Sequence, residues 1–477
     1  MKHQQRLMPV GRAGERMVHL MKKPRREDLV ATSGERFTYV LYYFGQLIFY
    51  MIVTGFLQLF LNNIAIPAAI VGTIMIVTKV WDAVNDPIFG VIVDKAKLKG
   101  GKYVPWLRIS VFLIPVTTIL IFCIPSSLSL QLKVILAAGA YILWDTSYTL
   151  ADVPIYALPT TMTSNIDERD RMYINSKFAV FVGGLLATIA VPILFPAIGW
   201  PMTIAILSVL GFLTTFPIAF KAKERFFTEV ANPSFMELMR YLVRNKYLLI
   251  YHGALILVSL SSTASPVQSF FAIHNLGGTE YISTIALIAT VPMILAVVAA
   301  KPLLNRFDKV HIAIFCLLAS PIIGIAMYFV GYGNLAALYA LIAVRAVFGA
   351  MSVVLVAMFS ADCAEYGNYV TGGRAQGIAF SIQTFTAKIT AALSSAICMF
   401  LLAIFGFVEG ENVQQSASTI SAIWSLYTWV PTITAVLAAA LLGVGYKLRQ
   451  KDVAVMIRVN KGELEKDEAA GLMSRNY

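Results

Sequence analysis

The chain of 477 residues is too apolar for a soluble protein, because 58% of its residues are hydrophobic and only 13% are charged. A soluble domain carries about 25% charged residues, so this composition predicts a polytopic membrane protein. The net charge of +12 is what cytoplasmic loops rich in lysine and arginine produce. No segment is left to form a soluble basic domain, so we do not expect nucleic-acid binding.

Apolar runs of the length that crosses a bilayer as a helix follow a basic N-terminal tail of residues 1–36. They are 37–62, 68–93, 105–127, 131–160, 175–199, 201–221, 247–273, 281–303, 310–331, 335–361, 377–406 and 418–446. The first run exceeds the apolar region of a signal peptide, so we expect it to be retained as a span. The sequence leaves open whether translation starts at Met1 or Met21.

Basic residues alternate along the connections between these runs. The connections after the odd-numbered runs contain no lysine or arginine, whereas those after the even-numbered runs are basic. This asymmetry predicts that both termini lie in the cytoplasm. The longest basic connection, 222–246, follows the sixth run and predicts two six-helix halves, 37–221 and 247–446, with a cytoplasmic tail of residues 447–477. Such an all-α arrangement resembles the major facilitator architecture, in which substrates bind between the halves.

The second run contains KVWDAVNDP, which places charges inside the membrane. An ionisable side chain at the bilayer centre costs about 2.5–3.5 kcal/mol on insertion scales, so we expect a function. Asp82 and Asp86 share one helical face, with Asn85 beside Asp86 and Lys79 one turn before Asp82. Oxygen ligands suit a hard cation such as Na⁺ or Li⁺, and they also suit a proton. A structural ion pair with Lys79 is the alternative, but two acids exceed one local base.

The fourth run carries a second acidic face, formed by Asp145, Thr149 and Asp152 at spacings of 4 and 3. Pro154 frees a backbone carbonyl that is available as a further ligand. In the eleventh run Lys388 follows Gln383 and lies deep for a snorkelling lysine, so we expect an acidic partner from the first half.

The four cysteines lie far apart in or beside apolar runs. Their spacing fits neither a metal site nor a disulfide framework, so we interpret them as core residues.

Three segments resemble the glycoside–pentoside–hexuronide:cation symporters, the sugar transporters typified by the melibiose permease. They are KVWDAVNDPIFGVIVDKAKLKGGKYVPW, TLADVPIYALPTTMTSNIDERDR and ADCAEYGNYVTGGRAQGIAFSIQTFTAK. The resemblance extends over nearly the whole chain after about residue 35, by span pattern as well as by motif.

The resemblance implies roles for individual residues. It implies a Na⁺, Li⁺ or H⁺ site at Asp82, Asn85, Asp86 and Thr149, with Asp152 binding sugar beside the cation. Lys388 matches a lysine that lies near the acids in the family. Gly90, Asp94 and Lys95 match the start of a cytoplasmic gating loop.

Departures from the melibiose permease concern the sugar. Gln46 and Leu47 stand where that permease has a Lys-Asp pair, Lys177 replaces an arginine and Tyr156 replaces a tryptophan. Lys177 cannot form the bidentate contact of an arginine. We hypothesise that Asp145 replaces the missing acid as an acceptor for sugar hydroxyls, and both a neutral sugar and an anionic hexuronide stay open.

Together these features predict a cation-coupled sugar symporter of the bacterial cytoplasmic membrane, working as a monomer without a cofactor other than its coupling ion. The alternatives are a proton-coupled exporter or sugar exchanger of the same fold, and a transport-like membrane sensor. Paired carboxylates also occur in glycosidases, but here they lie on the face of a membrane helix, so we expect no enzyme.

Overall fold

The computed structural model describes residues 29–475 except 97, 227–241, 261–263, 305, 372–375, 411–412 and 461. The described chain is helical and contains no strand. Its helices are α1 (Ser33–Asn63), α2 (Ala68–Lys95), α3 (Val104–Phe122), α4 (Leu130–Met162), α5 (Ile166–Ile198), α6 (Trp200–Thr215), α7 (Lys246–Leu260), α8 (Ala264–His274), α9 (Glu280–Leu304), α10 (Lys309–Val330), α11 (Leu335–Thr371), α12 (Gln376–Ile404), α13 (Ala417–Gly445), α14 (Gln450–Asn460) and α15 (Lys466–Leu472). A single helical turn, Ile218–Lys221, follows α6.

Every predicted apolar run overlaps one or two of these helices. Within the described residues, eight helices have the length and hydropathy of a membrane span. Three shorter apolar helices are Lys246–Leu260, Glu280–Thr290 and Leu393–Ile404. The helices therefore confirm the all-α class, while the count of twelve spans stays a prediction.

Local signals in the sequence set where several helices begin. Thr32 and Glu35 form a capping box, in which each side chain accepts a hydrogen bond from the backbone N–H of the other residue. This arrangement satisfies two N–H groups that would lack intrahelical partners. The side chains of Ser129, Asp308 and Ser416 each accept one hydrogen bond from a backbone N–H group in the first turn of α4, α10 and α13.

Buried apolar residues reveal how the helices are grouped. We call the end of the bundle with the start of α1 and the end of α13 the terminal end, and the other end the distal end. At the distal end one cluster unites both parts of the chain, from Phe60 and Met75 to Phe271, Met399 and Trp424. At the terminal end there are two separate clusters in the described residues, one built from residues 31–222 and one from residues 247–456.

Hydrogen bonds follow the same division. In the described chain, side-chain hydrogen bonds between residues before and after the gap at 227–241 all lie at the distal end, linking Asn62 to Met399, Ala68 to Glu409 and Ser283 to Ile189. The first and second halves of the chain are thus closed against each other distally and packed separately at the terminal end.

Two glutamates connect neighbouring segments of the first half at the terminal end. Glu168 accepts hydrogen bonds from the backbone N–H groups of Val30 and Ala31, from Arg36 and from the Thr163 hydroxyl. Burial by itself would raise the pKa of Glu168, but these hydrogen bonds outweigh it and hold the pKa below its ordinary value.

The second of these glutamates, Glu224, accepts hydrogen bonds from the N–H groups of Lys102, Tyr103 and Val104 at the start of α3. The next residue, Arg225, pairs with Glu35 at the start of α1. Residues 224–225 therefore connect the ends of two helices.

The tail after α13 is folded against the second half. Val453 and Met456 of α14 are buried in the cluster that also holds Tyr446. Asp452 accepts hydrogen bonds from both the backbone and the hydroxyl of Ser474, which closes the tail on itself.

Candidate functional site

Two of the predicted acids meet at one lysine. The Nζ atom of Lys79 lies 3.3 Å from Oδ2 of Asp82 on the same helix, α2, and 3.6 Å from Oδ1 of Asp145 on α4. Both aspartates are 4% exposed, near the middle of their helices. The side chain of Lys79 is 20% exposed, so water screens its charge only in part and the charge attracts both carboxylates.

The third acid of this region is held from α1. The side-chain amide of Gln46 donates a hydrogen bond from Nε2 to Oδ1 of Asp152, over 3.0 Å. Gln46 is 2% exposed, and Thr149 is 3% exposed one turn before Asp152 on α4. An amide can donate to an ionised carboxylate, so Gln46 orients the group that the sequence assigns to sugar binding.

An aromatic wall lies on the terminal side of the Gln46–Asp152 contact. The Tyr156 side chain is 52% exposed, and its ring packs edge-on against Tyr43 with centroids 5.9 Å apart. The Nζ atom of Lys177 on α5 lies 5.9 Å from the centroid of the same ring, and Lys177 is exposed. The wall therefore combines an open ring with a positive charge.

Further aromatic residues lie beside the acids on α1, α2 and α4. Trp81 donates a hydrogen bond from Nε1 to the Thr146 hydroxyl, which ties α2 to α4. Tyr148 packs against Trp144 and against Tyr50 of α1. Tyr50 had no signal in the sequence, because a tyrosine in an apolar run resembles an ordinary packing residue.

Asn85 is buried, and its Nδ2 atom has no hydrogen-bond partner within the described part of the chain. Six other predicted site residues lie outside the described side chains: Asp86, Gly90, Asp94, Lys95, Gln383 and Lys388. Their roles stay predictions.

Among the described side chains of the site, Asp82, Asp145 and Asp152 are acidic, and Lys79 and the more distant Lys177 are basic. No group of three or more histidine, cysteine or acidic side chains is arranged for a metal ion in the described residues.

A family model described as MFS/sugar transport protein matches residues 38–450. The chain belongs to this family. The match confirms the resemblance to the glycoside–pentoside–hexuronide:cation symporters. Because the family consists of transporters, the glycosidase alternative is excluded and the protein is a membrane transporter.

Curated relatives agree over most of the chain. The chain is 28% identical to "Inner membrane symporter YicJ" of Escherichia coli over 83% of this chain and 88% of that protein. It is 29% identical to "Isoprimeverose transporter" of Lactiplantibacillus pentosus over 86% of this chain and 88% of that one. A third relative, "Putative glycoside/cation symporter YagG" of E. coli, is 24% identical over 77% and 81%.

Solved structures show the fold. A bacterial homolog to the human lysosomal transporter Spinster, in an inward-facing and unoccupied conformation, has a TM-score of 0.62 at 12% identity, over 94% of this chain and 99% of that one. A D-xylose–proton symporter has a TM-score of 0.59 at 14% identity, over 87% and 97%. These similarities confirm the all-α major facilitator fold.

Proposed function

We propose that the protein is a cation-coupled sugar symporter whose site lies between α1, α2, α4 and α5. The observation that carries the proposal is the cluster of Lys79 with Asp82 and Asp145. On α4, Asp145 lies two turns from Asp152, which contacts Gln46. A cation site and a sugar acid thus share one helix. Relatives named as an isoprimeverose transporter and a putative glycoside/cation symporter support a sugar as the substrate.

Coupling in this proposal follows from charge. Without a cation, Asp82 and Asp86 repel each other and oppose closure of the site, and a bound Na⁺, Li⁺ or H⁺ removes that cost. Asn85 and Thr149 supply neutral oxygens to the ion, and Asp152 lies next to it. Because the ion orders the helix that presents Asp152, it raises the affinity for sugar, and by linkage the sugar raises the affinity for the ion by the same factor.

The sugar in this proposal binds at the wall beside Asp152. The carboxylate of Asp152 accepts hydrogen bonds from sugar hydroxyls, and the exposed ring of Tyr156 offers an apolar face on which a sugar can stack. Lys177 stands over that ring and adds a positive charge where an anionic sugar would place its carboxylate. Asp145 forms an ion pair with Lys79. This pairing favours a role of Asp145 in charge balance over the sugar contact that the sequence suggested.

Alternating access in this proposal uses the division of the core. The basic connections predict that both termini are cytoplasmic, in a bacterial inner membrane. With that orientation the two separate clusters face the cytoplasm, so the conformation is open inwards. The shared distal cluster must then part for the site to open outwards. We propose a monomer.

The ligands are identified by thermal unfolding of the purified protein with a panel of glycosides and uronides, each with and without Na⁺. A ligand that binds the folded state raises the unfolding midpoint. We expect one sugar class to do so, by a larger shift when Na⁺ is present. No sugar shifting the midpoint under any ionic condition would contradict the proposal.

Transport is then tested in proteoliposomes with imposed Na⁺, Li⁺ or pH gradients. We expect Asp82→Asn and Asp86→Asn to lose gradient-driven accumulation while sugar exchange continues, since exchange needs no net ion release. Glu465→Gln, in the exposed tail, is the matched control for loss of one carboxylate. Unchanged ion-stimulated uptake in both aspartate variants contradicts the cation assignment, and uphill efflux driven by a proton gradient would establish the exporter alternative.

A further inference from the structure

The helix that carries the proposed cation site is capped by the other half of the protein. The N-cap residue of α2 is Pro67, and it provides no side-chain hydrogen bond to the first turn. The backbone N–H of Ala68 donates instead to Oε1 of Glu409, over 2.7 Å. Glu409 lies 341 residues away, in the connection between α12 and α13. A carboxylate at a helix N-terminus also interacts favourably with the helix dipole.

Glu409 is held in place by its own connection. The side-chain amide of Gln415 bonds to both the N–H and the carbonyl group of Val408. Next to Val408, Phe407 is 7% exposed and packs edge-on against Phe270, with ring centroids 5.2 Å apart. The carboxylate is therefore presented by an ordered segment of the second half.

Below this contact α2 and α12 approach closely. A Cβ atom on Gly72 of α2 would lie 3.2 Å from the Cβ of Met399 and 3.4 Å from the carbonyl oxygen of Ala396. Asn62, at the end of α1, donates to Sδ of Met399 over 3.6 Å. The distal ends of the two halves thus meet along α2, with Glu409 at the outer edge.

Any opening at the distal end separates α2 from the connection that holds Glu409. α2 runs without a break from Ala68 to Asp82, about 21 Å at helical rise. A movement of the first turn of α2 is therefore transmitted along the helix to Asp82, which pairs with Lys79. We propose that Glu409 is a positioning residue for transport, which latches the distal end shut through the N-terminus of α2. This inference rests on the proposed function, because only alternating access requires the distal end to open.

The latch is tested with a cysteine introduced at the contact between α2 and α12, as a reporter of opening at the distal end. Ala396 is 1% exposed, and its carbonyl oxygen approaches Gly72, so we expect Ala396→Cys to react only when the distal end opens. Cys123 is exposed, and Cys398 is buried in the distal cluster that parts on opening, so both are replaced by alanine in all variants. A membrane-impermeant maleimide is added at the distal side of oriented vesicles, and the labelling rate is measured with and without Na⁺.

We expect Glu409→Ala to raise the labelling rate by about threefold to tenfold, the range for loss of one charge-assisted hydrogen bond at a helix end. Glu409→Gln retains an acceptor oxygen but loses the charge, so its rate should be intermediate. Glu280→Gln is the matched control, since Glu280 is an exposed acid in the first turn of α9 at the same end. Its rate should equal that of the parent.

Equal labelling rates in the parent, Glu409→Gln and Glu409→Ala would overturn the latch. If Glu409→Ala does not fold, the comparison of Glu409→Gln with Glu280→Gln decides the question. The same vesicles are assayed for sugar uptake. Absent uptake with any sugar in the parent counts against the proposed function, whereas normal parental uptake with unchanged labelling in the Glu409 variants counts against the latch alone.

Discussion

Gln46 on α1 donates a hydrogen bond to Asp152 on α4 over 3.0 Å, and this contact fixes the carboxylate of the proposed sugar site. A carboxylate at position 46 would place a second negative charge beside that of Asp152. The amide avoids this repulsion and donates to one oxygen of the Asp152 carboxylate.

The first prediction concerns this contact. Gln46→Leu removes the donor, and we expect the sugar concentration for half-maximal uptake to rise about tenfold or more, since a hydrogen bond to a charged group is worth about 1.5–3 kcal/mol. Gln46→Glu should lose more at neutral pH and recover partly on acidification. Gln58→Leu is the control, because Gln58 is buried on the same helix near its distal end. Unchanged half-maximal concentrations in Gln46→Leu would show that Asp152 is positioned by other groups.

The second prediction concerns the charge balance at Lys79. Lys79→Gln leaves Asp82 and Asp145 without this cation, and we expect a loss of about 1–3 kcal/mol in unfolding free energy, less than for a fully buried pair. Na⁺ should restore stability more in this variant than in the parent, because the positive charge beside Asp82 and Asp145 has been removed. The measurement is the thermal unfolding midpoint with and without Na⁺.

The double variant Lys79→Gln/Asp145→Asn distinguishes the ion pair from simple packing. It removes one positive and one negative charge, so its stability should recover towards that of the parent. Lys79→Arg, which keeps the charge, should stay close to the parent. A double variant no more stable than the single one would mean that the contact of Lys79 with Asp145 contributes nothing.

The third prediction concerns the sign of the substrate's charge. Lys177 lies over the ring of Tyr156, so Lys177→Gln should weaken binding of a uronide by about tenfold, as expected for loss of one ion pair at a partly exposed site. Neutral glycosides should change by less than twofold, a factor well within 1 kcal/mol. Lys177→Arg retains the charge and serves as control. Equal losses of affinity for both sugar classes in the thermal-shift titration would show that Lys177 supports the aromatic wall and does not contact the charge of the substrate.

The fourth prediction concerns pH and Glu168, at the terminal end. Hydrogen bonds hold its pKa below the ordinary value of 4.5, so its contribution to stability is present above pH 4.5 and is lost as the pH falls through the lower, folded-state pKa. Glu168→Gln should therefore reduce the free energy of unfolding at pH 7 by about 1–3 kcal/mol. The change is measured as a lower thermal unfolding midpoint. The difference from the parent should shrink below pH 4.5.

Glu465→Gln gives the baseline for this measurement, since Glu465 is exposed in the tail. Its midpoint should follow that of the parent at every pH. If the difference between Glu168→Gln and the parent stayed constant from pH 7 down to pH 3, protonation of Glu168 would not be the cause.

Much of the fold was predictable because it depends on local sequence. Long apolar runs determine helices that cross a bilayer, and the spacing of Asp145, Thr149 and Asp152 fixes them on one face of α4 whatever the packing. The pair of Lys79 and Asp82 was likewise visible, because residues three apart on a helix are neighbours. These relationships need only the geometry of a single helix.

Contacts between helices were decided by the tertiary structure. Nothing in the spacing of residues assigns Asp145 to Lys79, Gln46 to Asp152 or Glu409 to Ala68, because each pair depends on the rotation and depth of two helices distant in sequence. Packing also decided that the halves share a core at the distal end and form separate cores at the terminal end, within the described residues. The sequence by itself determined which faces carry charge, and only the packed bundle determined which charges meet.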